Sequence, residues 1–119
     1  VDLPTPGTVK LGHCFFMHGK TTAKHEAANM VKRYAANVVF GHIHRAQSHT
    51  TRTMRDGAIG ASCPGCLCKL QPLWMDTNFT EWTHGYAYQI VNSSGEFMHV
   101  NVPIVNGKSL LSPLFGRAG

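Results

Sequence analysis

At 119 residues the chain has the size of one domain, long enough to bury a core. Its 43% hydrophobic and 14% charged residues are a globular composition, and no stretch approaches the ~18 apolar residues of a membrane span, which excludes a helical membrane protein. Lys plus Arg exceed Asp plus Glu by 11 to 6, and the net +5 favours anionic partners such as phosphates or nucleic acid, although the basic residues are scattered and read first as a solvated surface.

Residues 1–10, with Pro4, Pro6 and Gly7, read as an extended lead-in. LGHCFFM (11–17) is a short apolar run that predicts a strand buried on both faces and ending at His18-Gly19. Thr21 or Thr22 can cap the helix that follows. On it Ala27, Val31, Tyr34 and Ala35 fall at i, i+4, i+7 and i+8, which is one helical face. Lys32 and Arg33 suit the helix C-terminus, and Asn37 its stop. VVF (38–40) predicts a second buried strand. Strand, helix and strand within about thirty residues make a βαβ unit with parallel strands. Open α/β sheets bind ligands at the C-terminal edge of such strands. His18 leaves that edge after the first strand; Gly41, His42 and His44 leave it after the second. The three imidazoles are therefore expected close together in space.

Beyond residue 48 the texture turns to hairpins. Asp56-Gly57 is a two-residue turn signal between TTRTMR and AIGAS, and NSSGE (92–96) joins YAYQIV to FMHVNV. In the latter strand Met98, Val100, Val102 and Ile104 alternate to one side, and Asn106-Gly107 marks a further turn. The segment 64–84 reads as a loop packing Trp74, Phe79 and Trp82 over a sheet edge. The fold class is α/β: a βαβ unit followed by antiparallel strands.

Neutral imidazoles on rigid strand ends bind Zn, Mn, Fe or Ni well. With one residue between them, His42 and His44 can aim at neighbouring points and serve two ions. The competing reading is a polar loop whose histidines only hydrogen-bond. A P-loop reading of His18-Gly-Lys-Thr is disfavoured, because the position of the required first glycine is Cys14. Cys63, Cys66 and Cys68, with His49 or His84 as a fourth ligand, could form a structural zinc site, although small buried cysteines are the simpler account. Zinc there would favour a non-catalytic nucleic-acid-binding module. His13 inside a strand, His25 on the helix and His99 facing outward are expected to be structural or solvated, while His84 is a candidate to reach the site from a loop. Free thiols and the lack of a signal-peptide pattern point to the cytoplasm, so the N-x-S/T matches at Asn78 and Asn92 are chance.

GHIH (41–44) after a hydrophobic strand, preceded one βαβ unit earlier by FMHG (16–19), resembles the C-terminal half of calcineurin-like metallophosphoesterases, as do Arg45, the Asp56-Gly57 hairpin and the strand pair over 85–100. The resemblance implies the second half of a four-layer α/β sandwich. It also implies a dinuclear centre, Mn first with Fe, Zn, Ni or Mg as alternatives, that hydrolyses phosphomonoesters or phosphodiesters, nucleic acids included. His18 and His42 would bind one ion and His44 the other; Arg45 could contact phosphate or simply face solvent. Such ions, about 3.5–4 Å apart, activate a water and clamp phosphate oxygens. The family's D-x-H, G-D-x-x-D and G-N-H-[DE] motifs are absent from this chain. Residues 1–119 therefore read as half of such a domain, with its N-terminal half supplied in cis or in trans. Little activity is expected of it alone, and self-association through uncovered apolar surface is expected.

Overall fold

The structure is a computed structural model that describes residues 7–72 and 79–111. Most of the expected lead-in (1–6), Trp74 and the Asn78 acceptor lie outside those residues. The run expected as one strand over 11–17 is two. Thr8–Leu11 (β1) and Cys14–Met17 (β2) form an antiparallel hairpin with Leu11 opposite Cys14. The cause is Gly12, which takes φ +58 and packs so closely on Gly95 that a Cβ would stand 2.7 Å from its carbonyl oxygen. His13 thus sits in the turn rather than in a strand, and its N–H donates to Gly95 O at 2.9 Å.

From β2 the chain passes through α1 (Glu26–Tyr34) to β3 (Val38–Phe40), which pairs parallel with β2, Phe15 opposite Val38. The βαβ unit is as the sequence indicated, but the helix is shorter and rotated. Glu26, Ala27, Met30 and Val31 are its buried residues, while Tyr34 is 45% exposed. Ala35 ends it in the left-handed region, two residues before Asn37. Neither Thr21 nor Thr22 caps it. The cap comes from another element: Gln47 Oε1 accepts the Ala27 N–H at 2.6 Å, and Gln47 Nε2 donates to Lys24 O at 2.8 Å. Thr21 instead donates to Glu26 Oε2 at 2.5 Å, giving a buried carboxylate the partner it requires.

Ala46–Thr53 (β4) and Gly57–Pro64 (β5) pair antiparallel around a three-residue loop, with Gly57 already inside β5. This hairpin is not separate from the βαβ unit. β5 pairs parallel with β3, Val38 opposite Ala61, so the sheet order is β1-β2-β3-β5-β4 with three parallel strands at its centre. On one face α1 buries Ala27, Met30 and Val31 against Val38, Phe40, Ile43, Ile59, Ala61 and Cys63.

The second sheet holds Gly85–Val91 (β6), Phe97–Val105 (β7) and Lys108–Ser109 (β8) in that order. NSSGE connects β6 to β7, and Asn106-Gly107 turns the chain with both φ positive. Two expectations fail in β7. Met98 is 53% exposed beside its cross-strand partner Ile90, 60% exposed, so the outer end of the hairpin is not the buried side. His99 does not face outward: it lies 3.0 Å from Gln89 Nε2 and 2.8 Å from Asn101 Oδ1, and these amides bond across to Cys14 Sγ and Cys63 O of the first sheet.

The two sheets meet where Gly85 N donates to Cys66 O, beside the bridge between Cys66 and His84. A Cβ on Gly85 would collide with the Pro64 carbonyl, whereas one on Gly107 would meet nothing within 4 Å. Gly85→Ala should therefore cost about 1–3 kcal/mol by overpacking. Gly107→Ala, at φ +75, should cost only the left-handed penalty of about 1–2 kcal/mol. In urea unfolding Gly85→Ala should be the less stable of the two variants, and equal or reversed midpoints would contradict it.

Candidate metal-binding edge

Because β2, β3 and β5 run parallel, their C-termini open on one edge of the sheet. His18 follows β2, Gly41-His42-Ile43-His44 follows β3, and Gly65-Cys66-Leu67-Cys68 follows β5. The loops after β2 and β3 are tied together by Gly41 N–H donating to His18 O at 3.0 Å. His18 Nε2 and His42 Nδ1 stand 3.2 Å apart, the rings edge to face at 71° with centroids at 5.2 Å. One proton between those nitrogens makes a hydrogen bond; with none, each keeps a lone pair for another partner.

His42 (φ 73) and His44 (φ 60) both occupy the left-handed region, at a cost of about 1–2 kcal/mol each. Between them Ile43 is 2% exposed and belongs to the core. Burying that side chain is worth about 1.5–3 kcal/mol, the same order as the strain it sustains. The GHIH turn is thus pinned by its isoleucine, and both neighbouring imidazoles are left on the rim.

His44 does not join the other two. Its ring stands edge-on to Trp82 with centroids at 4.3 Å, and Nδ1 is 4.0 Å from Cys68 Sγ. The ligand atoms of His44, Cys66 and Cys68 lie within 4.8 Å of one another, the one such group of three among the described residues. His18 and His42 have no third ligating side chain among those residues.

Other expected participants are placed differently. Cys63 is wholly buried in the helix-side core and outside the group, its thiol pushed up by burial. His49 is exposed on β4 opposite Ala61. His84 does reach the cysteine loop, its Nε2 donating to Cys68 O at 2.7 Å. Arg45 turns Nη2 to the carbonyls of Ala23 and Lys24, so that end of the guanidinium holds the approach to α1 and only its other nitrogens could serve a phosphate. Trp82, expected over a sheet edge, packs on His44, and the backbone of Thr83 joins the site without any local signal in the sequence. The association of His44 with Cys66 and Cys68 was hidden because β5 read as a hairpin strand alone; its parallel pairing with β3 is what carries the cysteines to the histidine edge.

Compared with protein-family models, curated proteins and solved structures, the chain finds no match. Among the described residues no helix is long and apolar enough to cross a membrane.

Burial, and then the hydrogen bond and charge of neighbouring Cys68, push the Cys66 thiol up from 9.0 to about 11. Only the thiolate is nucleophilic, so at pH 8 in the reduced, metal-free chain Cys66 should alkylate about 100-fold more slowly than an ordinary cysteine. Its rate should keep rising with pH to about 11. Mass spectrometry of the iodoacetamide-labelled peptide reads this directly; a rate that levels off below pH 9 would be the contrary result.

Proposed function

We propose that this chain carries part of the metal centre of a phosphoester hydrolase, as the second half of a calcineurin-like metallophosphoesterase would. The observation that supports it is the His18–His42 contact at the C-terminal edges of adjacent parallel strands, 3.2 Å between Nε2 and Nδ1. Two nitrogens bound to one ion at ~2.0–2.1 Å, at angles between octahedral and tetrahedral, stand about 2.9–3.4 Å apart. The pair is therefore already spaced as neighbouring ligands. Once bound, a divalent ion supplies Lewis-acid polarisation of a phosphate oxygen.

The chain's own residues hold and orient. His18 and His42 take one ion, Mn first with Fe, Zn, Ni or Mg as alternatives, whereas His44, expected on a second such ion, stands beside Cys66 and Cys68. The net +5 charge supports an anionic substrate, a phosphomonoester, a phosphodiester or nucleic acid. The remaining ligands come from another chain or another part of a longer protein, and exposed Leu11, Ile90, Val91 and Met98 support a covering partner or self-association. The rival reading, a non-catalytic zinc- and nucleic-acid-binding module, loses Cys63 to the core.

The test is Mn²⁺ titration followed by the loss of the free-ion EPR signal. His18→Ala, at an exposed position, should weaken binding at least about tenfold without disturbing the fold, and His42→Ala should do the same. Equal Mn²⁺ binding by wild type and both variants would overturn the reading. Hydrolysis of bis(p-nitrophenyl) phosphate by the isolated chain should stay near background.

A further inference from the structure

We infer that His44, Cys66 and Cys68 form a sulfur-rich site for a soft divalent ion, zinc foremost, distinct from the His18–His42 pair. A tetrahedral zinc with Zn–S of ~2.3 Å and Zn–N of ~2.0–2.1 Å sets its ligand atoms about 3.6–3.8 Å apart. Here the three ligand atoms lie within 4.8 Å, and the His44 Nδ1 to Cys68 Sγ separation is 4.0 Å. Side-chain adjustment of a few tenths of an ångström to about one closes the set around an ion.

The backbone beneath the ligands is already laced. Thr83 N donates to His44 O at 2.9 Å, Cys66 N donates to Thr83 O at 2.9 Å, and Ala46 N donates to Thr83 Oγ1 at 2.7 Å. One residue therefore ties the loop after β3 to the loop after β5. The third ligand is tethered as well, since His84 holds the Cys68 carbonyl. Separately, His44 is kept in a left-handed conformation that a histidine rarely adopts, with buried Ile43 enforcing it. Pre-set ligands, tied loops and a strained histidine are what a metal site on rigid elements requires.

The donor set chooses the ion. Two thiolates and an imidazole suit zinc, whereas manganese and magnesium seek oxygen. Each zinc bound releases two protons, one from each thiol, and both go to solvent. Three protein ligands leave the fourth tetrahedral position to water or an exogenous anion, and Cys68, on the exposed side, leaves that position accessible. The inference does not rest on the hydrolase reading.

The experiment uses the full chain, reduced, with Co²⁺ as a spectroscopic stand-in. One equivalent should give a thiolate-to-cobalt charge-transfer band with release of two protons, and one equivalent of Zn²⁺ should abolish the band with no further proton release. Cys68→Ser, at an exposed position, should weaken the band and Cys66→Ser/Cys68→Ser should remove it. His44→Gly, which suits the left-handed backbone, should lower affinity at least about tenfold. His18→Ala should leave the band unchanged. No band in the wild type, a band that survives in the double variant, or a band lost in His18→Ala would each overturn the inference. Mn²⁺ binding indifferent to His18→Ala, with the cobalt band intact, would sink the hydrolase reading alone.

Discussion

Everything at the candidate edge depends on β3 being paired on both sides by parallel strands. Val38–Phe40 is three residues long, yet Phe15, Phe16 and Met17 register against it from β2, and Ala61 and Ser62 from β5. A parallel arrangement sends every strand end to the same side, which an antiparallel meander cannot do. Three loops consequently open together, and each carries His or Cys side chains. Flanking β1 and β4 are antiparallel and cover the outer strands of that centre.

The loops need a second device, because a loop at a sheet rim gains little from packing. Here the device is one buried apolar residue and one polar strap. Ile43 drops into the helix-side core between two histidines and fixes where both imidazoles can be. Thr83 then bonds the β3 loop on one side and the β5 loop on the other, so the cysteines are located relative to His44 by main-chain hydrogen bonds rather than by their side chains. The same economy acts at α1, where Gln47 caps the helix start and Arg45 holds the preceding carbonyls. β4 thereby sets the path of the chain between His18 and the helix.

Several local signals are legible in the sequence, and the tertiary ones are not. VVF, NSSGE and Asn106-Gly107 reveal their strand or turn because apolar runs and left-handed turn residues act within a few positions. The helix cap misled because Gln47 lies 20 residues from the N–H it accepts, while Thr21 had a buried glutamate to satisfy. Gly12 inside an apolar run could signal either a tolerated glycine or a hairpin, and only the approach of Gly95 decides it. His18 and His42 could be placed together from the βαβ pattern, since adjacent parallel strands bring consecutive loops side by side. The partners of His44 could not, because nothing local in GAIGASCP says that it pairs parallel with a strand seventeen residues earlier.

The acidic residues separate the two halves of the edge by chemistry. Among the described residues Glu26 is buried on Thr21, Asp56 pairs with Arg55 at the hairpin tip, and Glu96 accepts from Asn92. Glu81 lines a hollow with Arg45 and Thr83 and is not grouped with either set of ligands. A hard ion on His18 and His42 therefore finds no carboxylate among these residues to complete its shell or neutralise its charge. The His44–Cys66–Cys68 set is different, because ionisation of its own thiols supplies two negative charges and its soft donors at once. The histidine pair needs oxygen ligands from elsewhere, while the sulfur set carries its neutralising charge with it. The two sites at one sheet edge thus differ in what else must be present before an ion stays.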